Sequence, residues 1–162
     1  MIIIPESLKK TVMVSGYFDP IHPGHISYMR EASKLGEELI VVIDGDERTA
    51  AKKGKPFMPA EDRKVIIEAL DFVDFVYIEN VNVKEALKRF MPRIFAKGGD
   101  RTGPENIPEW DLCEELGIEI VTGVGADKEW SSRTYLQDWA DFKRPFQKNL
   151  KDLIDKVRRN FP

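Results

Sequence analysis

The chain's two histidines, His22 and His25, both lie in the segment Gly16-Tyr17-Phe18-Asp19-Pro20-Ile21-His22-Pro23-Gly24-His25. Pro23 and Gly24 between them bend the backbone tightly. His25 falls where a helix is expected to start, a place whose unpaired N–H groups and dipole favour an anion. Two imidazoles beside such a site can donate hydrogen bonds to phosphate oxygens. A zinc site would need a third ligand, and the sequence holds no further histidine to supply it.

Three more segments carry residues suited to polyphosphate chemistry. Lys52, Lys53 and Lys55 surround Gly54 in a run from Asp44 to Pro59 that reads as a loop. Lysines there can close over a polyphosphate as mobile point charges, which a leaving pyrophosphate needs, or can simply face solvent. In Lys97-Gly98-Gly99-Asp100-Arg101, two glycines let the backbone approach a flat base or ribose, and Asp100 can accept hydrogen bonds from hydroxyl or amino groups. In Trp130-Ser131-Ser132-Arg133-Thr134, Ser131 or Ser132 suits a helix N-cap whose hydroxyl and neighbouring amides can bind phosphate, or can cap and nothing more. Cys113 falls inside an expected helix, remote in sequence from both histidines, and reads as a buried thiol.

These segments must be positioned by strands and helices that alternate along the chain. Apolar, β-branched runs predict strands at Thr11 to Ser15, Glu38 to Ile43, Phe72 to Ile78, Arg93 to Ala96 and Ile118 to Val121. Helical spacing predicts helices over Gly24 to Leu35, Ala60 to Leu70 (with Val65, Ile66, Ala69 and Leu70 on its apolar face), Val83 to Phe90, Glu109 to Leu116 and Ser132 to Ala140. Alternation implies crossovers, hence an α/β fold with a doubly wound parallel sheet and helices on both faces. Ligands of such sheets sit beyond the carboxyl ends of the strands, which selects the loops after Ser15, Ile43, Ala96 and Val121. Beyond a domain over 1–141, a basic amphipathic helix is expected over 142–162. There Arg144, Lys148, Lys151, Lys156, Arg158 and Arg159 outnumber Asp152 and Asp155, beside an apolar stripe of Leu150, Leu153, Ile154 and Val157. That stripe packs on the body or on a second subunit, or else the basic face meets a membrane surface or nucleic acid.

The 162 residues, 42% hydrophobic and 33% charged, suit one globular domain with a real core. A net charge of -3 argues against a nucleic-acid coat. A single cysteine excludes an intramolecular disulfide and fits a reducing compartment. No apolar run reaches the roughly 20 residues of a membrane helix, and Met1 to Pro5 is too short for a signal peptide, so a cytoplasmic location is expected.

The segment around His22 and His25 resembles the HxGH motif of the cytidylyltransferase-like nucleotidyltransferase superfamily, which includes glycerol-3-phosphate cytidylyltransferase, heptose-phosphate adenylyltransferase and archaeal FAD synthase. The resemblance runs from about Thr11 to Leu136. It implies a Rossmann-like five-stranded sheet in the order 3-2-1-4-5, with His22 and His25 on the triphosphate and the backbone at Tyr17 and Phe18 lining the nucleotide pocket. Gly16, Asp19 and Gly24 of the same loop join the nucleotide site. The resemblance also points to Lys53 among the loop lysines and matches Arg63 to a family arginine, whose alternative is a surface ion pair with Glu61 or another acid. It turns Asp44 toward the acceptor, where a turn or cap role is the alternative. Lys97 to Arg101 look like the KGGD segment of heptose-phosphate adenylyltransferases. Ser131 and Ser132 resemble the family's serine-rich phosphate motif, although Arg133 stands where that motif has a small hydroxyl residue; it would place a cation on the triphosphate. The implied reaction transfers a nucleotidyl group from an NTP, with CMP favoured and AMP the alternative, to a polyol or sugar phosphate. Mg²⁺ on the NTP phosphates is the expected cofactor, and the partners are CTP or ATP, the acceptor and a second copy in a homodimer, with no membrane or nucleic acid. A non-catalytic nucleotide sensor and an aminoacyl-tRNA synthetase are the rival readings, the latter opposed by the short chain and the lack of a second lysine motif.

Overall fold

The structure, a computed structural model, describes residues 10–125 and 131–160. Its elements in chain order are β1 (Thr11–Gly16), α1 (Pro23–Ser33), β2 (Glu38–Asp44), α2 (Asp46–Lys53), α3 (Ala60–Glu68), β3 (Phe75–Glu79), α4 (Val83–Phe90), β4 (Ile94–Gly98), α5 (Trp110–Leu116), β5 (Glu119–Val124) and α6 (Ser132–Asn160). The strands form one parallel sheet in the order β3-β2-β1-β4-β5, the expected topology.

Strand alternation sorts the core into two layers. Val12, Val14, Leu39, Val41 and Ile43 face one side and pack with Met29 and Ala32 of α1 and Ile67 of α3. Met13, Ile40, Val42 and Phe95 face the other side and pack with Ala86 and Leu87 of α4 and Cys113 of α5. Cys113 is buried as expected, and burial, then the nearby Glu109, pushes its thiol up to about 11. Tyr28 of α1 spans the first layer and donates its hydroxyl to the Ala96 carbonyl at 2.6 Å.

Three local expectations are corrected. The run after Asp44 is not all loop, because Asp46–Lys53 forms α2. Its sequence is polar on all sides and gave no apolar period to read. In α3 the buried side chains are Ala60, Arg63 and Ile67, while Val65 is 66% exposed. Of the expected stripe, Leu70 packs against the core, while Val65, Ile66 and Ala69 stand exposed. Finally, the helix expected over Ser132 to Ala140 and the one expected beyond Phe142 are a single helix of 29 residues, with Pro145 inside it.

The chain divides into two units at the Trp130–Ser131 junction, and α6 forms the described part of the second. Among the described residues, no helix is long and apolar enough to cross a membrane.

The turn from α1 into β2 depends on Gly36. A Cβ there would meet the Lys10 carbonyl oxygen at 2.3 Å and Val12 Cγ2 at 2.7 Å, so main chain would have to move. Gly36→Ala is expected to cost about 1–3 kcal/mol of unfolding free energy by urea titration. Gly99→Ala, with nothing within 4 Å of the added carbon, should leave the midpoint unchanged within error.

Candidate functional site

The loop that leaves β1 is shaped by its own side chains. Phe18 has φ 51°, in the left-handed region, and its ring is 2% exposed. A Cβ on Gly16 would lie 3.0 Å from that ring, so glycine makes room for it. The Phe18 ring in turn stands edge-on to His25, centroids 5.1 Å apart.

His22 is the N-cap of α1, extended in its own backbone, with Pro23 opening the helix. The His25 N–H donates to His22 Nδ1 at 3.4 Å, and the His22 N–H donates to His25 Nδ1 at 3.3 Å. This is a capping box built from two histidines, and it stacks their rings 3.6 Å apart at 18°. With each Nδ1 accepting a main-chain proton, each imidazole carries its own proton on Nε2. Burial, then the adjacent His22 and Lys53, lowers His25 to about 3, and burial also lowers His22, with Lys53 adding to the shift. Both rings are neutral Nε2–H donors at the start of a helix.

The positive charge comes from α2. Lys53 Nζ donates to the Asp19 carbonyl at 2.7 Å and lies 5.2 Å from the centre of the Tyr17 ring, while burial lowers its pKa. All three candidate lysines are exposed, and Lys53 is the one whose ammonium is tied to the histidine loop. Asp19 is fully buried, and its carboxylate accepts the N–H groups of Phe57 and Met58 at 2.8 Å each. Its carboxylate pins the segment between α2 and α3 to the histidine loop.

Arg63 makes the second tie. At 1% exposure it donates to the carbonyls of Tyr17 at 2.6 Å, Asp44 at 2.9 Å and Met58 at 2.9 Å, and to Asp46 Oδ1 at 2.8 Å. The ion pair is thus with another acid, Asp46, whose carboxylate is half exposed while the guanidinium is buried. Asp44, at the end of β2, accepts from Arg48 Nε at 2.5 Å and is 5% exposed. Beside it in register stands Glu79 of β3. Glu79 Oε2 and Asn82 Oδ1 are buried without a hydrogen-bond partner.

Next to β1 in the sheet, β4 ends in the glycine pair. A Cβ on Gly98 or Gly99 would meet nothing within 4 Å. The turn is held by the Arg101 N–H on the Gly98 carbonyl at 3.0 Å, by the Arg101 guanidinium on the Asn106 carbonyl, and by Asn106 Nδ2 on the Asp100 carbonyl at 3.1 Å. Lys97 lies 4.4 Å over the Phe95 ring and 3.5 Å from Glu109, its pKa lowered by burial. Ser131, Ser132 and Arg133 open the second unit: α6 starts at Ser132, and the Ser131 carbonyl accepts the Tyr135 N–H at 3.2 Å. Trp130 lies outside the described residues.

The first unit thus gathers Tyr17 to His25, Lys53, Arg63 and Asp44 at the carboxyl ends of β1 and β2, with Lys97 to Arg101 at the end of β4. Sequence reasoning missed Arg48 and the main-chain donors at Phe57 and Met58. Arg48 follows Asp44 by one helical turn, a signal that α2, once recognised, would have supplied. Among the described residues, no group of three or more His, Cys, Asp or Glu side chains could hold a metal ion.

Comparison with known proteins gives a consistent set of likenesses. The cytidylyltransferase-like family model matches residues 13–121. The bifunctional protein HldE of Desulfatibacillum aliphaticivorans is 35% identical over 80% of this chain and 27% of its own length, and that of Hahella chejuensis is 36% identical over 69% and 24%. The chain thus spans about a quarter of these curated relatives. Among solved structures, a lipopolysaccharide core biosynthesis protein from Thermoplasma volcanium aligns at a TM-score of 0.64 with 30% identity, over 73% of this chain and 98% of that one. A pantoate-beta-alanine ligase from Francisella tularensis shares the fold at a TM-score of 0.57 and 16% identity, over 78% of this chain and 64% of that one.

The half-buried, neutral state of His25 sets a pH dependence. The unfolded imidazole titrates near 6.5 and takes up a proton that the folded one, at about 3, refuses. Its contribution to stability is therefore full above about pH 6.5 and is lost as pH falls toward 3, at up to about 1.4 kcal/mol per pH unit for one proton. Urea midpoints of His25→Gln should fall less steeply between pH 7 and 4 than those of the unaltered chain. Equal slopes would mean that His25 is protonated in the fold.

Proposed function

Because the chain belongs to the cytidylyltransferase-like family of nucleotidyltransferases, we propose that it transfers AMP from ATP to a phosphorylated sugar and releases pyrophosphate. The observation that carries the transfer chemistry is the reciprocal pair of His22 and His25, which fixes two Nε2–H donors at a helix N-terminus beside Lys53. AMP is preferred to CMP here because Lys97 to Asp100, which resemble the KGGD segment of heptose-phosphate adenylyltransferases, end β4 with open space over both glycines. A sugar is preferred because the similar protein from Thermoplasma volcanium is a lipopolysaccharide core biosynthesis protein, and such cores are saccharides.

The acceptor phosphate is its own nucleophile, since a monoester with a second pKa near 6 is largely dianionic at neutral pH. Its oxygen forms a bond to the α-phosphorus as the bridging α–β bond breaks, and the electron pair leaves with pyrophosphate. No general base is required. The work left to the protein is alignment and charge compensation. The Nε2–H groups meet the equatorial oxygens as the bond order shifts, and Lys53 offsets the charge gathering on the leaving group. Mg²⁺ enters with the NTP as part of the substrate.

Pyrophosphate release by the full chain, measured with each of the four NTPs, Mg²⁺ and a panel of sugar and polyol phosphates, should be fastest with ATP and a sugar phosphate. A preference for CTP would reverse the reading of the base, and nucleotide binding without turnover would leave a sensor. His22→Ala and His25→Ala should each lower kcat by roughly 10²–10³-fold with circular dichroism unchanged. Lys53→Ala should weaken binding of the triphosphate more than of the monophosphate, as calorimetry would read.

A further inference from the structure

The helix α6 carries an apolar stripe that is symmetric about its own midpoint. Phe146 is the centre. Phe142 and Leu150 lie four residues to either side of it, Trp139 and Leu153 seven, and Tyr135 and Val157 eleven. Each of these seven side chains is 45% exposed or more, and Phe142 and Phe146 reach 72% and 69%. At 100° per residue the seven fall within one narrow face, and the recurrence at eleven residues keeps that face nearly parallel to the axis. Pro145, which takes one N–H out of the helix ladder, lies to the side of the stripe.

A stripe spaced alike on both sides of its centre suits a two-fold interface, in which a residue a given distance before the axis meets the one the same distance after it on an identical chain. We infer that α6 pairs antiparallel with α6 of a second copy of this chain, with the two Phe146 rings at the two-fold axis.

The edges of the stripe fit this arrangement. Asp138 and Lys156 lie on one edge, eight residues before and ten after Phe146, so antiparallel copies bring each Asp138 within about 3 Å along the axis of the partner's Lys156. Leu136 and Ile154 hold the corresponding positions on the other edge and meet as an apolar pair. Parallel copies would instead set this edge against the other one, Asp138 near Leu136 and Lys156 near Ile154, so that each charge faces an apolar side chain, and would align the two helix dipoles unfavourably. The exposed stripe amounts to on the order of 1,000 Å² per copy, enough to supply an interface of standard size.

Light scattering of the full chain at micromolar concentration should give the mass of a dimer. Phe146→Glu should give a monomer with unchanged circular dichroism. Asp138→Lys and Lys156→Asp, each alone, should weaken association about tenfold or more. An equimolar mixture of those two variants should recover it, because every edge pair in the mixed dimer is again opposite in charge. A monomeric unaltered chain, including one that instead binds acidic vesicles, would overturn the inference. So would a dimer that survives Phe146→Glu, or a mixture that associates no better than its components.

Discussion

The guanidinium of Arg63 joins the ends of β1 and β2, through the Tyr17 and Asp44 carbonyls, to α2 through Asp46 and to the turn before α3 through the Met58 carbonyl. A charge at 1% exposure is costly to desolvate, and it persists only where its donors are matched. Here four acceptors from four segments match it, three of them carbonyls that strand and helix ladders leave over at their ends. Removing the guanidinium would take a donor from all four at once, although the Asp44 carbonyl keeps the Thr49 hydroxyl and Asp46 keeps the Ala60 N–H, so the geometry of the strand ends leans on a residue with little surface to offer a ligand.

Asp19 complements that tie from the other direction. Its carboxylate takes two N–H groups of the segment before α3, and its carbonyl takes the Lys53 ammonium. The histidine loop is thereby fixed to the end of α2, and Lys53 comes to the imidazoles with the Asp19 and Asp44 carboxylates close enough to favour its charged form. The same enclosure that orders the loop keeps His22 and His25 neutral. Direction and charge are thus divided: the imidazoles supply fixed donors, and the lysine and the α1 dipole supply positive potential.

The sequence was readable where burial is periodic. The β-branched runs in β1 and β2 and the apolar spacing of α1 and α4 announced their elements, and the paired histidines announced the loop that matters. Reading failed where burial and polarity part company. The segment DERTAAKK has no apolar face, so α2 passed for loop, and with it went the helical phase that separates Lys53 from Lys52 and the one-turn relation of Asp44 to Arg48. Arg63 is expected on the nucleotide or in a surface ion pair, because arginine is seldom buried, and it takes instead an inward position in α3. Strand order came from the resemblance and not from the pattern, because a run buried on both faces says nothing of its neighbours.

That last limit is general, and α6 shows its other side. An apolar stripe records that selection has kept a face away from water; it does not record what covers the face. In α1 and α4 the cover is the sheet, so the period and the fold agree. In α6 the stripe is as regular, yet its side chains stand exposed in the chain by itself. A single helix of 29 residues gains little from propensity alone, and an apolar face left in water gives it no packing to make up the difference. What the stripe offers a copy of the same helix is equal spacing on both sides of Phe146, so that antiparallel helices would meet apolar side chain to apolar side chain along its length.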